Sequence, residues 1–566
     1  MKPSRRALDR LPFLDRTGPP LVIEVDLTRG LVDHPPSDPF SALRGRNTPL
    51  LSETIAGLRY AATDAAVAGA IVTVSETVTI AQAEELGAAL EAFARSGKPT
   101  VATATSFGEL GPGTVPYYLA LHTDSIWLQP SGGVALMGVA LEVMTLRGVL
   151  DKVDAEPQLG QRHEFKTAAE MIMSHEISGS NREMTRRIAD SVVERIAAVA
   201  SRRRGVDADS FAAAMDAAPV PAPIALERGL VDHLGYRADA YAHARREWGA
   251  DGEITLHYAH RYARHRANRP AEQLARRRRP KVGVVAVTGG ISTGRNGGGP
   301  LGGRACGSES VCAALRLATE DDSLEALVLR VDSPGGSYVA SDAIRHAVQA
   351  FRHTGRPVVA SMGGVAASGG YFVSMPCDAI VALPATLTGS IGVLGGKIAL
   401  GRTFQRIGVT REAIGSGVHS TMFSPTTTFD DAQWAKVNDW LDEVYADFTT
   451  KAAEDRGMDV GVLEPLARGR VWTGADALER GLVDELGGLR TALDAAATRA
   501  GLDPDRTRAV PVPHVSPLQR LIPSESSESP GDAVATSPEG MLVGVARAAG
   551  LEVPGVLSLP WRLTVR

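Results

Sequence analysis

The residue best placed for chemistry is a serine set among small neighbours. Ser368 lies in Ser361-Met362-Gly363-Gly364-Val365-Ala366-Ala367-Ser368-Gly369-Gly370-Tyr371. A β-like segment (357–360) precedes it, and Gly369-Gly370 opens an apolar run that reads as a buried helix starting at the serine. A hydroxyl at such a strand-to-helix turn is open to a substrate carbonyl. The N–H groups that follow, Gly369 first, would lie at a helix N-terminus and face a developing oxyanion. The same small residues would also make a tight packing turn of no chemical consequence.

A serine nucleophile needs a base. Position 366 is alanine, so the stretch is not a G-x-S-x-G elbow. The histidines nearest in sequence, His346, His353 and His419, have no evident acid partner. The other candidate is Lys166, in Glu164-Phe165-Lys166-Thr167-Ala168-Ala169-Glu170. To act as a base near pH 7 its pKa must fall by roughly 3 units from about 10.4, which costs on the order of 4 kcal/mol and requires a desolvated site. Taken alone, Lys166 reads as a lysine on a surface helix over 166–173. Its place within a duplicated chain favours the base.

The duplication is visible directly. Leu226-Glu227-Arg228-Gly229-Leu230-Val231-Asp232 returns as Leu478-Glu479-Arg480-Gly481-Leu482-Val483-Asp484, an offset of 252 (478 − 226). Residues 93–99 match 351–357 at 258 (351 − 93), and 117–124 match 371–378 at 254 (371 − 117). Offsets that drift by a few residues fit two copies of one domain with small loop insertions, not a short-period solenoid.

The copies differ where chemistry would be. Opposite Ser368 stands Thr114, in Gly111-Pro112-Gly113-Thr114-Val115-Pro116, so Val-Pro replaces Gly-Gly. The second copy carries the turn Asp332-Ser333-Pro334-Gly335-Gly336-Ser337, with two flexible residues and exposed N–H groups. The first has Ser75-Glu76-Thr77-Val78 there. Lys166, 52 residues past Thr114 (166 − 114), has only Ser420-Thr421-Met422 as its counterpart. One copy offers a nucleophile and the other an amine. The economical reading is a Ser–Lys dyad assembled where the two copies meet, with N–H groups of Gly335, Gly336 and Gly369 serving an oxyanion.

Each copy alternates β-like and helical runs, which implies parallel sheet with crossover connections. In the second copy, 281–287, 324–331 and 379–383 read as strands and 341–353 as a helix. The expected organisation is an N-terminal repeat over 1–270 carrying the lysine, a basic linker over 271–280, and a C-terminal repeat over 281–500 carrying the serine. A tail over 501–566 follows, disordered over 524–538 and apolar over 541–566. The basic run 261–280 reads as a solvated linker or surface helix. The Gly-rich stretch 294–303 reads as a flexible loop and lacks the Lys-Ser/Thr of a phosphate loop.

Composition sets limits on function. The chain has 566 residues, 44% hydrophobic and 22% charged, with a net charge of -5. It is long enough for two cores, and its balance gives no electrostatic case for nucleic acid. Three cysteines, Cys306, Cys312 and Cys377, are too few for a disulfide framework or a zinc site and suggest a reducing compartment. No cofactor or metal is expected. The N-terminus has basic residues but no apolar segment after them. The uncharged run 357–376 reads as buried core, so no transmembrane segment is predicted.

From about residue 21 to 501 the chain resembles the long, tandem-domain signal peptide peptidases of the S49 serine peptidase family. The resemblance rests on Arg330-Val331-Asp332-Ser333-Pro334-Gly335-Gly336-Ser337, on 361–371, on Leu387-Thr388-Gly389-Ser390-Ile391-Gly392-Val393, on Gly469-Arg470-Val471-Trp472-Thr473-Gly474, and on the lysine motif 164–170. It implies an α/β fold, a tandem duplication of a ClpP/crotonase-like domain. It implies Ser368 as nucleophile, Lys166 as general base, and Ser390 as the hydroxyl that holds the lysine amine. It also implies a homotetramer acting on residual signal peptides or other unfolded apolar peptides. Long members commonly begin with a membrane anchor; here none is read, and the expected location is cytoplasmic or peripheral to a membrane. Two rival functions share the fold: a crotonase-like acyl-CoA enzyme and a non-catalytic scaffold.

Overall fold

The structure is a computed structural model that describes residues 18–33, 48–297, 305–513 and 557–558. The alternation of β-like and helical runs builds two separate, mainly parallel sheets. The first runs His233–Leu234, Ser125–Leu128, Thr100–Ala104, Val67–Thr73, Leu21–Asp26 and Thr255–Tyr258, every neighbouring pair parallel. The second runs Val471–Thr473, Leu387–Gly389, Val358–Ala367, Leu324–Ser333, Lys281–Thr288 and Arg508–Pro511, parallel except where Val471–Thr473 meets Leu387–Gly389. Ala379–Ala382 also pairs with Val358–Ala367. Strands covered on both faces carry near-continuous apolar runs instead of alternation. Leu-Val-Leu at 327–329 and Val-Val-Ala-Ser-Met at 358–362 are fully buried for this reason.

The duplication is written in matching hydrogen bonds. Tyr117 donates its hydroxyl to Leu230 O at 2.8 Å, and Tyr371 to Leu482 O at 3.0 Å. Asp232 accepts from Ile126 N–H at 2.7 Å, and Asp484 from Ile380 N–H at 2.7 Å. Each pair lies wholly within one copy, so the repeated sequence encodes the same strand-to-helix geometry twice.

The elements expected in the second copy are present with shifted ends. The helix expected over 341–353 is Tyr338–Arg352, because Ser337 caps it by accepting from Ala340 N–H at 3.3 Å. The strand expected over 324–331 reaches Ser333, and that expected over 357–360 extends to Ala367. The basic run is helical, in Ala259–Ala267 and Pro270–Arg278. Of the Gly-rich stretch, 298–303 lies outside the described residues, as does the whole tail beyond 513 apart from 557–558. Among the described residues no helix is long and apolar enough to cross a membrane.

One organisational expectation is corrected. The compact units do not follow the repeat boundary: one comprises the chain up to Ala140 with Val192–Arg279, and the other Leu141–Ser191 with the chain from Pro280. The lysine-bearing segment therefore packs with the copy that carries the serine, not with its own half of the sequence. The physical cause is a strand pairing. Glu156–Gln161 runs antiparallel to Leu394–Ala399 over six residue pairs, from Glu156 opposite Ala399 to Gln161 opposite Leu394. Immediately after it, Arg162 N–H donates to Val393 O at 3.0 Å and Phe165 N–H to Arg468 O at 3.2 Å.

Candidate active site

The site forms where the central strand Val358–Ala367 ends. Its pairing with Leu324–Ser333 shifts register between Val331 and Ser333, where Asp332 turns a carboxylate oxygen to Val365 N–H at 3.2 Å. The displaced strand then pairs through Val365, Ala366 and Ala367 with Leu387, Thr388 and Gly389. Ser368 follows with φ 55° and ψ −114°, and the helix Gly369–Ser374 starts at once. This conformation is unfavourable for a residue with a Cβ, and such strain persists only where its surroundings enforce it. Ser368 N–H is held by Gly389 O at 2.8 Å, and Ser368 O accepts from Phe372 N–H at 2.9 Å. Without the G-x-S-x-G motif, the chain still builds a sharp strand–serine–helix turn.

The two glycines after the serine are there for space. A Cβ on Gly370 would lie 2.5 Å from Ser333 O. A Cβ on Gly369 would lie 2.7 Å from Ser341 Oγ and 3.1 Å from both Gly335 Cα and Gly336 N. The turn Gly335-Gly336 thus packs directly on the residue after Ser368, as expected from sequence. Gly335 N–H donates to Ser333 Oγ at 3.2 Å. That bond engages the Gly335 N–H, expected to serve an oxyanion, within its own turn.

Lys166 comes to the same point. Its Nζ is 2.7 Å from Ser368 Oγ, 3.0 Å from Ser390 Oγ and 3.1 Å from Ser390 O. Lys166 and Ser390 are each 1% exposed and Ser368 not at all. Burial alone lowers the Lys166 pKa from 10.5 to about 7. An amine at that value samples its neutral form at physiological pH. Its lone pair can then take the Ser368 proton while its two N–H bonds point to Ser390 O and Oγ, so three polar neighbours match the needs of either protonation state. The surface-helix reading of Lys166 does not hold: the residue precedes a short 3-10 turn, Thr167–Ala169, and is buried.

The packing around the lysine uses a motif whose role sequence reasoning missed. Gly469 has φ +80°, and a Cβ there would sit 2.4 Å from Lys166 N and 2.5 Å from its Cβ. A Cβ on Gly392 would lie 3.2 Å from Lys166 Cδ and 2.7 Å from Gly469 Cα. Ser390, at φ 51°, is tied by its N–H to Arg470 O at 2.7 Å. The signal was available in the segments 387–393 and 469–474. What they enclose was not.

All of Ser368, Lys166, Ser390, Gly335, Gly336 and Gly369 lie in one compact unit. Within that unit Lys166 belongs by sequence to the first repeat and Ser368 to the second, so the pair expected where the repeats meet forms inside a single compact body. In the other unit Thr114 opens the helix Thr114–Ala120 without a positive φ, and its buried Oγ1 has no hydrogen-bond partner among the described residues. His346, His353 and His419 are exposed, whereas Ser368 and Lys166 are buried. Strand, turn and amine together can run nucleophilic acyl transfer with a lysine as proton carrier.

Comparison with known proteins points the same way. The profile of Peptidase family S49 matches residues 92–251 and 350–503, one match spanning Lys166 and the other Ser368. The chain is 31% identical over 425 residues to "Protease 4" of Salmonella typhi, covering 74% of this chain and 66% of that protein. It is 29% identical over 462 residues to "Serine protease SPPA, chloroplastic" of Arabidopsis thaliana, covering 81% and 66%. "Protease 4" of Haemophilus influenzae is 28% identical over 478 residues, covering 81% and 75%. The chain thus spans about two thirds of the length of the first two of these relatives.

Proposed function

The chain belongs to peptidase family S49, and from that premise we propose that it is a serine endopeptidase with Ser368 as nucleophile and Lys166 as general base. The observation that carries this reading is the 2.7 Å approach of Lys166 Nζ to Ser368 Oγ within a site closed to solvent. Neutral Lys166 takes the hydroxyl proton as Ser368 Oγ attacks the scissile carbonyl. The oxyanion faces the N–H groups of Gly369 and Gly336, each such donor worth about 100- to 1000-fold in rate. The ammonium of Lys166 then gives its proton to the leaving amine, and an acyl-enzyme on Ser368 remains. Water, deprotonated by the same lysine, releases the acid. Ser390 keeps Nζ aimed at Ser368 through both steps.

The substrates in this reading are residual signal peptides or other unfolded apolar peptides. The reading extends to assembly as a homotetramer and to peripheral membrane contact. Exposed Ile407, Ile414, Val418 and Phe423 supply an apolar surface for such contacts. A fluorophosphonate probe tests the chemistry: it should label Ser368, fail to label Ser368→Ala, and label Lys166→Ala at least about 1000-fold more slowly, since each removes one member of a unit. Full-rate labelling of Lys166→Ala would dismiss the lysine as base. Mass spectrometry of products from a signal-peptide library, with Ser368→Ala as control, tests the substrate class. Light scattering tests the tetramer.

A further inference from the structure

Arg470 stands between Gly469, which packs on Lys166, and the strand Val471–Thr473. Its guanidinium lies between two rings, 4.5 Å from the centroid of Phe165 and 4.6 Å from that of Trp472. Phe165 is the sequence neighbour of Lys166. Trp472 abuts Gly389, where a Cβ would lie 3.0 Å from Trp472 Cδ1, and Gly389 O holds Ser368 N–H at 2.8 Å. The Arg470 carbonyl accepts from Ser390 N–H at 2.7 Å. Arg470 Nη1 pairs with Glu183 at 2.8 Å, so the lysine-bearing segment is tied to Arg470 on both sides of Lys166. The first copy lacks this arrangement: at an offset of 252, Ala218 stands opposite Arg470 (470 − 218) and Val220 opposite Trp472 (472 − 220). There Val220–Pro221 leads into the helix Ala222–Glu227, as Val471–Thr473 leads into Gly474–Glu479. The copy without the serine turn thus forms the same strand-to-helix step without the arginine, so the fold itself does not require it.

We propose that Arg470 is the positioning residue of this site: stacked between Phe165 and Trp472, it holds Lys166, Ser390 and the Ser368 turn in one arrangement. A planar guanidinium suits the place, since it offers a flat face to each ring and donors at its edge for Glu183. A lysine there would keep the charge and lose the faces. The neutral amine of the proposed mechanism makes no ion pair, so packing must aim it. That Arg470 governs the rate rests on the proposed peptidase function; its hold on Lys166 does not.

The test uses the full chain and two readouts. In hydrolysis of an apolar peptide, Arg470→Ala should lower kcat by about 100-fold and leave KM within about twofold, the pattern of a misaimed base. Arg470→Lys should still lose about 10-fold, because the stack is gone although the charge remains. Phe165→Ala should lower kcat as well, and the double variant Phe165→Ala/Arg470→Ala should be within about threefold of the slower single one, since both changes break one clamp. A fully active Arg470→Ala or Arg470→Lys, losses that fall on KM alone, or single losses that multiply in the double variant overturn the proposal. The second readout needs no proteolysis: reductive methylation of Lys166, followed by mass spectrometry in Ser368→Ala chains. Lys166 is 1% exposed in the parent, and Arg470→Ala should speed its modification at least about 10-fold by local opening, while thermal unfolding shows the chain still folded. Unchanged modification overturns the proposal; if Arg470→Ala does not fold, Arg470→Lys carries both readouts. If fluorophosphonate labels Ser368 in no chain, the parent included, while the methylation contrast persists, the peptidase reading fails and the hold of Arg470 on Lys166 stands.

Discussion

Replacing Lys166 by methionine should make the protein more stable while removing its base. Burial lowers the Lys166 pKa from 10.5 to about 7, and about 3.5 units correspond to about 5 kcal/mol. The sign follows from linkage. Below pH 7 both folded and unfolded states hold the proton, and the folded state bears the full penalty of a buried ammonium. Between pH 7 and 10.5 the unfolded chain binds one more proton than the folded one, so stability rises by about 1.4 kcal/mol per pH unit. Methionine keeps the length and bears no such penalty, but it leaves Ser390 O and Oγ without their donor, at about 1–3 kcal/mol. The variant should therefore be more stable by about 2–4 kcal/mol at pH 6, and this advantage should shrink by about 3 kcal/mol between pH 7 and 9. Guanidinium unfolding of Ser368→Ala and Ser368→Ala/Lys166→Met chains at pH 6, 7 and 9 reads the difference, the serine change preventing self-digestion. A difference that is the same at pH 6 and 9, or a double variant that is less stable at pH 6, would refute a buried amine of depressed pKa.

Further outcomes follow from the same geometry. The rate constant kcat/KM should rise with pH through about 7, as Lys166 loses its proton, and level off above; a profile flat from pH 6 to 8 would point to another base. Ser390→Ala should leave the fold intact and lower kcat by about 100-fold, because Nζ loses a partner that aims it; an unchanged kcat would remove Ser390 from the machinery. Gly469→Ala should destabilise the chain and abolish activity, since its Cβ would meet Lys166 N at 2.4 Å in a left-handed turn. Thermal unfolding and hydrolysis assays check it, and a stable, active variant would contradict the close packing around the lysine.

Much of this protein is legible along the chain. Repeated strings such as Leu226–Asp232 and Leu478–Asp484 disclose two copies, because a duplicated fold keeps the residues that make its buried hydrogen bonds, here those of Asp232 and Asp484. Apolar runs and glycine content locate the strands, the serine turn and the Gly335-Gly336 turn, since short apolar stretches and backbone freedom are local properties. The complementary losses between copies single out Lys166. Tertiary structure alone decided which unit owns that lysine: the antiparallel pairing of Glu156–Gln161 with Leu394–Ala399 carries it away from its own repeat, and sequence order holds no information about which distant edge a strand will choose. It also decided the electrostatics. Burial lowers the pKa of the amine to about 7, with Gly469 packed on the lysine's backbone and Gly392 on its stem, and desolvation belongs to an enclosure, not to any one residue.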